Sequence, residues 1–235
     1  MSTSAAGGAS ASNKGRELKT AASTARAARQ AGTKVVRGKS ETAYKKQAKA
    51  WEAGSVGEER AARKLDLLTK HGYTTLHDVL LEPGKRWNLD HLVFGPSGLY
   101  FVDAKNWRGT IRVRGNSVYR SWYAGPSQGR KTETMDHEVA KVRGMASHAS
   151  ARLGQRIQPV ICLAGAKSRQ FEGVERAGGV IIVSVDTIWV WLRDAKPVLP
   201  PEIVDMNVTL ARRLFPAATP PAPEADWVRK MRNGD

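Results

Sequence analysis

The chain has 235 residues, 41% of them hydrophobic, which provides for one domain of ordinary size with tails. Its 38 Lys and Arg against 22 Asp and Glu give a formal net charge of +16, which favours a polyanionic partner, nucleic acid ahead of an anionic membrane surface. The longest apolar runs, such as Val180 to Val185, are strand-sized and exclude a bilayer-spanning helix, and the single Cys162 excludes an internal disulfide or a cysteine-based zinc cage. Neither a basic nor an apolar signal segment is found in Met1 to Ser10, so a reducing cytoplasm is the expected setting.

In chain order, residues 1–49 are rich in Ala, Ser, Gly, Lys and Arg and carry only Glu17 and Glu41 as acids. Such a stretch predicts a flexible basic arm, with transient helix around Ala21 to Arg29, that holds phosphates without sequence preference. A folded domain over residues 50–215 is expected to follow. Gly57-Glu58 opens a helical spacing at Ala61, Ala62, Leu65 and Leu68, and His71-Gly72 closes it. Strands are predicted at Thr75–Leu81, Leu89–Phe94, Leu99–Lys105, Thr110–Arg114 and Ser117–Trp122, with turns at Gly95-Pro96-Ser97-Gly98 and Gly115-Asn116. Met135, Val139, Val142, Ala146, Ala149 and Leu153 then mark a long amphipathic helix. Pro159–Leu163 and Val180–Val185 read as strands buried on both faces, and Thr187–Arg193 as a helix carrying Trp189 and Trp191. A proline-rich, extended tail is expected over 216–235. The order predicts a three-layer α/β/α sandwich around a mixed central sheet that is mostly an antiparallel meander.

Asp103-Ala104-Lys105 ends an apolar strand, and the two-residue period sets the acid and the amine on one face. If Gly95 to Gly98 forms a hairpin, Leu89-Asp90 comes opposite Ala104, so that Asp90 and Asp103 converge. Two close carboxylates repel unless a cation intervenes, and Mg²⁺ takes one or two carboxylates while keeping several waters. Lys105 is then placed to orient or help deprotonate the attacking water and to offset charge developing on a phosphodiester. Glu17-Leu18-Lys19 and Asp194-Ala195-Lys196 repeat the acid-x-Lys pattern outside any strand. Glu58, at the start of a predicted helix, is favoured there by the macrodipole whatever its function. His91 is expected on the face opposite Asp90 as a packed histidine, and Cys162 as a small core residue. Trp107 and Arg108 follow the site in a loop, where they can stack on nucleic acid or pack the hairpin.

Gly54-Ser55-Val56-Gly57-Glu58, followed by the run from Leu89 through Asp90, Asp103 and Lys105 to Gly109, resembles the nuclease-related domain (NERD) family, and Pro159 to Ala166 is similar to its late buried strand. The resemblance covers about Trp51 to Arg193. It implies the restriction-endonuclease-like PD-(D/E)xK fold, with Glu58, Asp90, Asp103 and Lys105 at the functional positions. It also implies a divalent metal, Mg²⁺ or Mn²⁺, held by Asp90, Asp103 and the main-chain carbonyl of Ala104. Many members have Glu where this chain has Asp103, and many carry Gln on the long helix where the nearest residues here are His137 and Glu138. Two functions are therefore expected to compete. One is a metal-dependent nuclease acting on DNA, with RNA also open. The other is a non-catalytic DNA- or RNA-binding module that keeps the nuclease fold. The oligomeric state is not legible.

Overall fold

The computed structural model describes residues 9–30, 41–83, 87–165, 171 and 173–218. Two long helices, α1 (Ala9–Gln30) and α2 (Glu41–Asp66), come first, and a 3₁₀ turn (Leu67–His71) ends on Gly72 in the left-handed conformation. Three strands follow, β1 (Thr74–Leu80), β2 (Asn88–Gly95) and β3 (Gly98–Lys105). Next come β4 (Thr110–Arg114), β5 (Ser117–Tyr123), β6 (Arg130–Thr134) and α3 (Asp136–Leu153). The chain closes with β7 (Ile157–Leu163), β8 (Val174–Ala177), β9 (Val180–Ser184), α4 (Ile188–Arg193) and α5 (Pro201–Leu214).

The central sheet has six strands in the order β1-β2-β3-β7-β9-β8. Pairing is antiparallel through β1, β2 and β3, parallel for β3 with β7 and β7 with β9, and antiparallel again for β8 with β9. One face buries Ala61 and Leu65 of α2 with Ile188 and Leu192 of α4 against Val93, Val102, Val160 and Val183. The other buries Val142 and Ala146 of α3 and Val208 of α5 against Leu92, Phe101, Ile161 and Ile182. The result is the expected three-layer α/β/α sandwich. The meander is shorter than expected, because β4 and β5 leave the central sheet and join β6 in a separate three-stranded sheet, ordered β4-β5-β6. Ile111, Val113 and Val118 attach that sheet to the second core.

The amino-terminal segment also departs from the expectation. Residues 9–30 are helical, and α2 begins at Glu41 and runs unbroken through the expected boundary near residue 50. Small residues make this possible: Ala22 and Ala48 are buried beside Leu18, and a side chain at Gly15 would press on Glu52 Cγ at 3.3 Å. Burial among Ala and Gly supplies packing that an aromatic-poor composition hides. Of the expected tail, Pro216 to Ala218 lie along the free edge of β1, with Leu80 N–H donating to Pro216 O and Ala218 N–H to Asp78 O, each at 2.8 Å. The rest of that expectation, residues 219–235, lies outside the described residues.

Candidate active site

The site sits where two neighbouring strands part. The β2–β3 ladder runs from Gly95↔Gly98 to His91↔Val102 and stops. Beyond that point β2 stays with β1 through Leu80↔Asn88, while β3 stays with β7 through Lys105↔Leu163. In the fork, the N–H of Ala104 donates to Asp90 Oδ2 at 2.9 Å, so the first acid takes a main-chain donor of the neighbouring strand. Carried one step further, the register would set Asp90 opposite Asp103, not opposite Ala104 as the sequence suggested.

Asp103 is buried and follows Phe101 onto the α3 side of the sheet. Lys105, two residues on, lies 2.7 Å from Asp103 Oδ2 and 3.2 Å from Glu138 Oε2 on α3. Of the two candidates on that helix, Glu138 therefore faces the site, while His137 is 72% exposed and stands 3.4 Å from Glu138 Oε1. Glu58 comes from α2. It stands in the interior of a 26-residue helix, not at its first turn, so stabilisation by the helix amino terminus does not account for it. Gly57 is likewise no helix start. A side chain there would meet Asn106 Cβ at 3.1 Å and Ala164 Cβ at 3.4 Å, and its absence lets α2 close on the ends of β3 and β7.

The electrostatics are those of crowded, buried acids around one amine. Burial, then Asp78 and Asp103, push Glu58 up to about 7, against the opposing pull of Lys105. Burial, then Asp103 and Glu58, hold Asp90 well above the ordinary carboxylate range. Asp103 is also raised by burial, although Lys105 pulls it down. Burial by itself lowers the pKa of Lys105, yet Asp103, Asp90 and Glu138 outweigh that effect and keep the ammonium charged. Glu138 moves the other way: burial raises it, but Lys105 and Lys141 bring it below its ordinary value.

Sequence reasoning missed Asp78. It is 3% exposed, its φ of 49° is unusual for a non-glycine residue, and its Oδ1 accepts from Asn88 Nδ2 at 2.8 Å. The β1–β2 register places it across from Asp90, so a hairpin drawn through residues 81–87 would have found it. The decoys stay apart from the site: Glu17 pairs with Lys14, Lys19 with Glu52, and Asp194 with Arg193. His91 is fully buried and meets His77 through their Nδ1 atoms at 2.9 Å, and His77 Nε2 lies 2.9 Å from Asp66. Trp107 packs against the second core, Trp189 and Trp191 against the first, and Arg108 is exposed.

Residues 53–164 match the sequence model of the nuclease-related domain. The chain carries a NERD domain. No curated protein and no solved structure matches it. The matched segment of the NERD domain takes in Glu58, the β2–β3 fork and Glu138, and it ends as β7 closes beside Lys105. Its restriction-endonuclease-like, α/β character agrees with the observed layers.

Proposed function

We propose that this NERD domain hydrolyses phosphodiester bonds of DNA with the help of a divalent cation. The observation that carries the reading is the fork itself: Asp90 and Asp103 on separating strands, with Lys105 ion-paired to Asp103 at 2.7 Å. A nucleic-acid-binding surface gains nothing from buried carboxylates, which repel phosphate, whereas carboxylates that resist losing their protons to water suit a cation. Among the described residues no three Asp, Glu, His or Cys converge as a closed metal cage. An ion such as Mg²⁺ or Mn²⁺ needs only one or two carboxylates, which Asp90 and Asp103 at the fork would supply, with the carbonyl of Ala104 and water as further ligands.

Such an ion supplies Lewis-acid activation of water and of a phosphoryl oxygen. The protein's own groups do the rest. Ion-paired with Asp103 and Glu138, Lys105 is placed to orient the attacking water and to offset charge on the phosphoryl oxygens. Asp103 and Glu138 hold its ammonium from two sides, which fixes the cation before substrate arrives. Glu58 closes the α2 side of the fork, where a carboxylate can position the water.

The test sets the site against its decoy. Plasmid should be cut by the wild type with Mg²⁺ and left intact with EDTA, with a structured RNA run in parallel to read substrate class. Lys105→Ala should lower the single-turnover rate by about a hundredfold or more, as loss of a preorganised electrostatic group does. Lys196→Ala, in the exposed second Asp-Ala-Lys, should cut as the wild type does. Equal rates for both variants would remove the fork as the catalyst, and a wild type that leaves plasmid intact with Mg²⁺ would make the non-catalytic binding module the better reading.

A further inference from the structure

In the three-stranded sheet β4-β5-β6, one face of β4 and β5 lies against the core and the other toward solvent, while β6 is exposed on both faces. The inner face carries Ile111, Val113 and Val118, then Arg120 stacked 4.6 Å above the Trp122 ring and paired with Glu133. The outer face consists of positions 110, 112 and 114 of β4, 117, 119, 121 and 123 of β5, and 130, 132 and 134 of β6. None of these ten is acidic: they are three Arg, two Tyr and five Ser or Thr. The nearest carboxylate bound to the face is that of Asp136, which accepts from Ser117 Oγ at 3.1 Å at the hairpin end.

Register gives this face a pattern. Arg112 stands directly across from Tyr119, and Tyr123 directly across from Arg130. Each aromatic ring thus has a guanidinium on the neighbouring strand, and the two rings lie four residues apart along β5, about 14 Å. Tyr123 is 69% exposed, Arg112, Arg114 and Arg130 are exposed, and between the two rings Ser121 Oγ and Thr132 Oγ1 meet at 2.8 Å. Rings that stack on bases, guanidiniums that pair with phosphates and hydroxyls that bond to either suit an unpaired strand, which leaves all of these groups open. A duplex keeps its base faces stacked on one another, so exposed rings find a free face only on an unpaired strand.

Both connections of the sheet run into the fork. β4 begins five residues after Lys105, and β6 ends at Thr134, just ahead of the helix whose Glu138 touches Lys105. Met135 N–H donates to Val118 O at 2.7 Å and locks the second connection. At the first, Gly109 (φ 102°) passes so close to Ser121 O that a Cβ would lie 2.2 Å from it.

We propose that the outer face of β4-β5-β6 is a platform for single-stranded nucleic acid. It deepens the nuclease reading, on which it rests only for its consequence: it delivers an unpaired strand to the fork. Binding is measured by fluorescence anisotropy on the full chain, in EDTA so that nothing is cut, with a labelled 20-nucleotide DNA strand, its duplex and the RNA strand of the same sequence. The single strand should bind more tightly than the duplex. Tyr119→Ala with Tyr123→Ala should weaken single-strand binding by about tenfold or more, and the two Tyr→Phe changes should keep it, because phenylalanine stacks equally well. Arg112→Ala with Arg114→Ala should reduce the slope of log affinity against log salt by about 0.7 for each phosphate no longer neutralised. RNA should bind comparably to DNA, since neither ring nor guanidinium addresses the sugar. Unchanged affinity in the alanine pair, equal loss in the phenylalanine pair, a preference for duplex or a strict need for the 2′-hydroxyl would each overturn the proposal. Failure of the fork would appear instead as cleavage indifferent to Lys105→Ala, with EDTA binding unaffected.

Discussion

Glu58 and Glu138 illustrate what single residues tell and conceal. From sequence Glu58 reads equally as a helix-start acid or a site acid, and only the unbroken length of α2 removes the first reading. Glu138 and His137 differ by one helical step, about 100° around α3, and that phase decides which of them meets Lys105. Asp78 was hidden because a polar residue in a strand reads as solvent-facing, whereas here it is buried beside the other acids. Glu58 carries a stability prediction. Its folded pKa of about 7 lies above the ordinary 4.5, so the folded state binds the proton more tightly than the unfolded one. The contribution to stability is complete below 4.5 and is lost as pH rises through about 7. Urea midpoints in EDTA should therefore be lower at about pH 7.5 than at about pH 5, and Glu58→Gln should shrink the difference. An equal drop in the variant would assign the effect to Asp90 and Asp103, which shift in the same direction.

Among the elements, those with a clear apolar period were legible, and β1, β2, β3, α3, β7 and β9 lie close to their expected places. β6 was missed because all five of its residues are exposed, which leaves no alternation to read. Helix α5 had a signal: Pro201 at its start, Glu202 in the first turn, and Val204, Val208 and Ala211 at helical spacing. Helix α1 had little, because it packs on α2 through small residues. Among the described residues, few buried groups join α1 to α2, and Leu18 is the largest of them. Leu18→Asp should cost about 2 kcal/mol or more of local packing and release α1. Circular dichroism at 222 nm should lose helical signal, while the main thermal transition of the sheet domain stays in place. Loss of that main transition would mean that α1 is integral to the domain core.

At the scale of the molecule, the free edge of β1 is closed by the chain's own Pro216 to Ala218, through Val79↔Ala217 and the two flanking hydrogen bonds. Ala218→Pro removes the donor to Asp78 O and should lower unfolding stability by about 1 kcal/mol, read as a shift in urea midpoint; an unchanged midpoint would show that the edge needs no cover. The excess of positive charge is distributed over separate surfaces. The α1–α2 pair exposes Arg16, Lys46 and Lys49 on one side, and the small sheet exposes Arg112, Arg114 and Arg130 on another.

The parallel pairing of β3 with β7 has a consequence for the order in which the protein becomes competent. Leu99 to Lys105 are held by Ile157 to Leu163, which leave the ribosome only after the whole small sheet and α3 have been made. Contacts of such sequence separation form late, because a long loop must close before they repay its entropy. A nascent chain thus carries Glu58, Asp90, Asp103 and Lys105 well before it has the strand that fixes the last two in place. Synthesis itself keeps the Asp103 and Lys105 end of the fork unassembled until β7 has emerged.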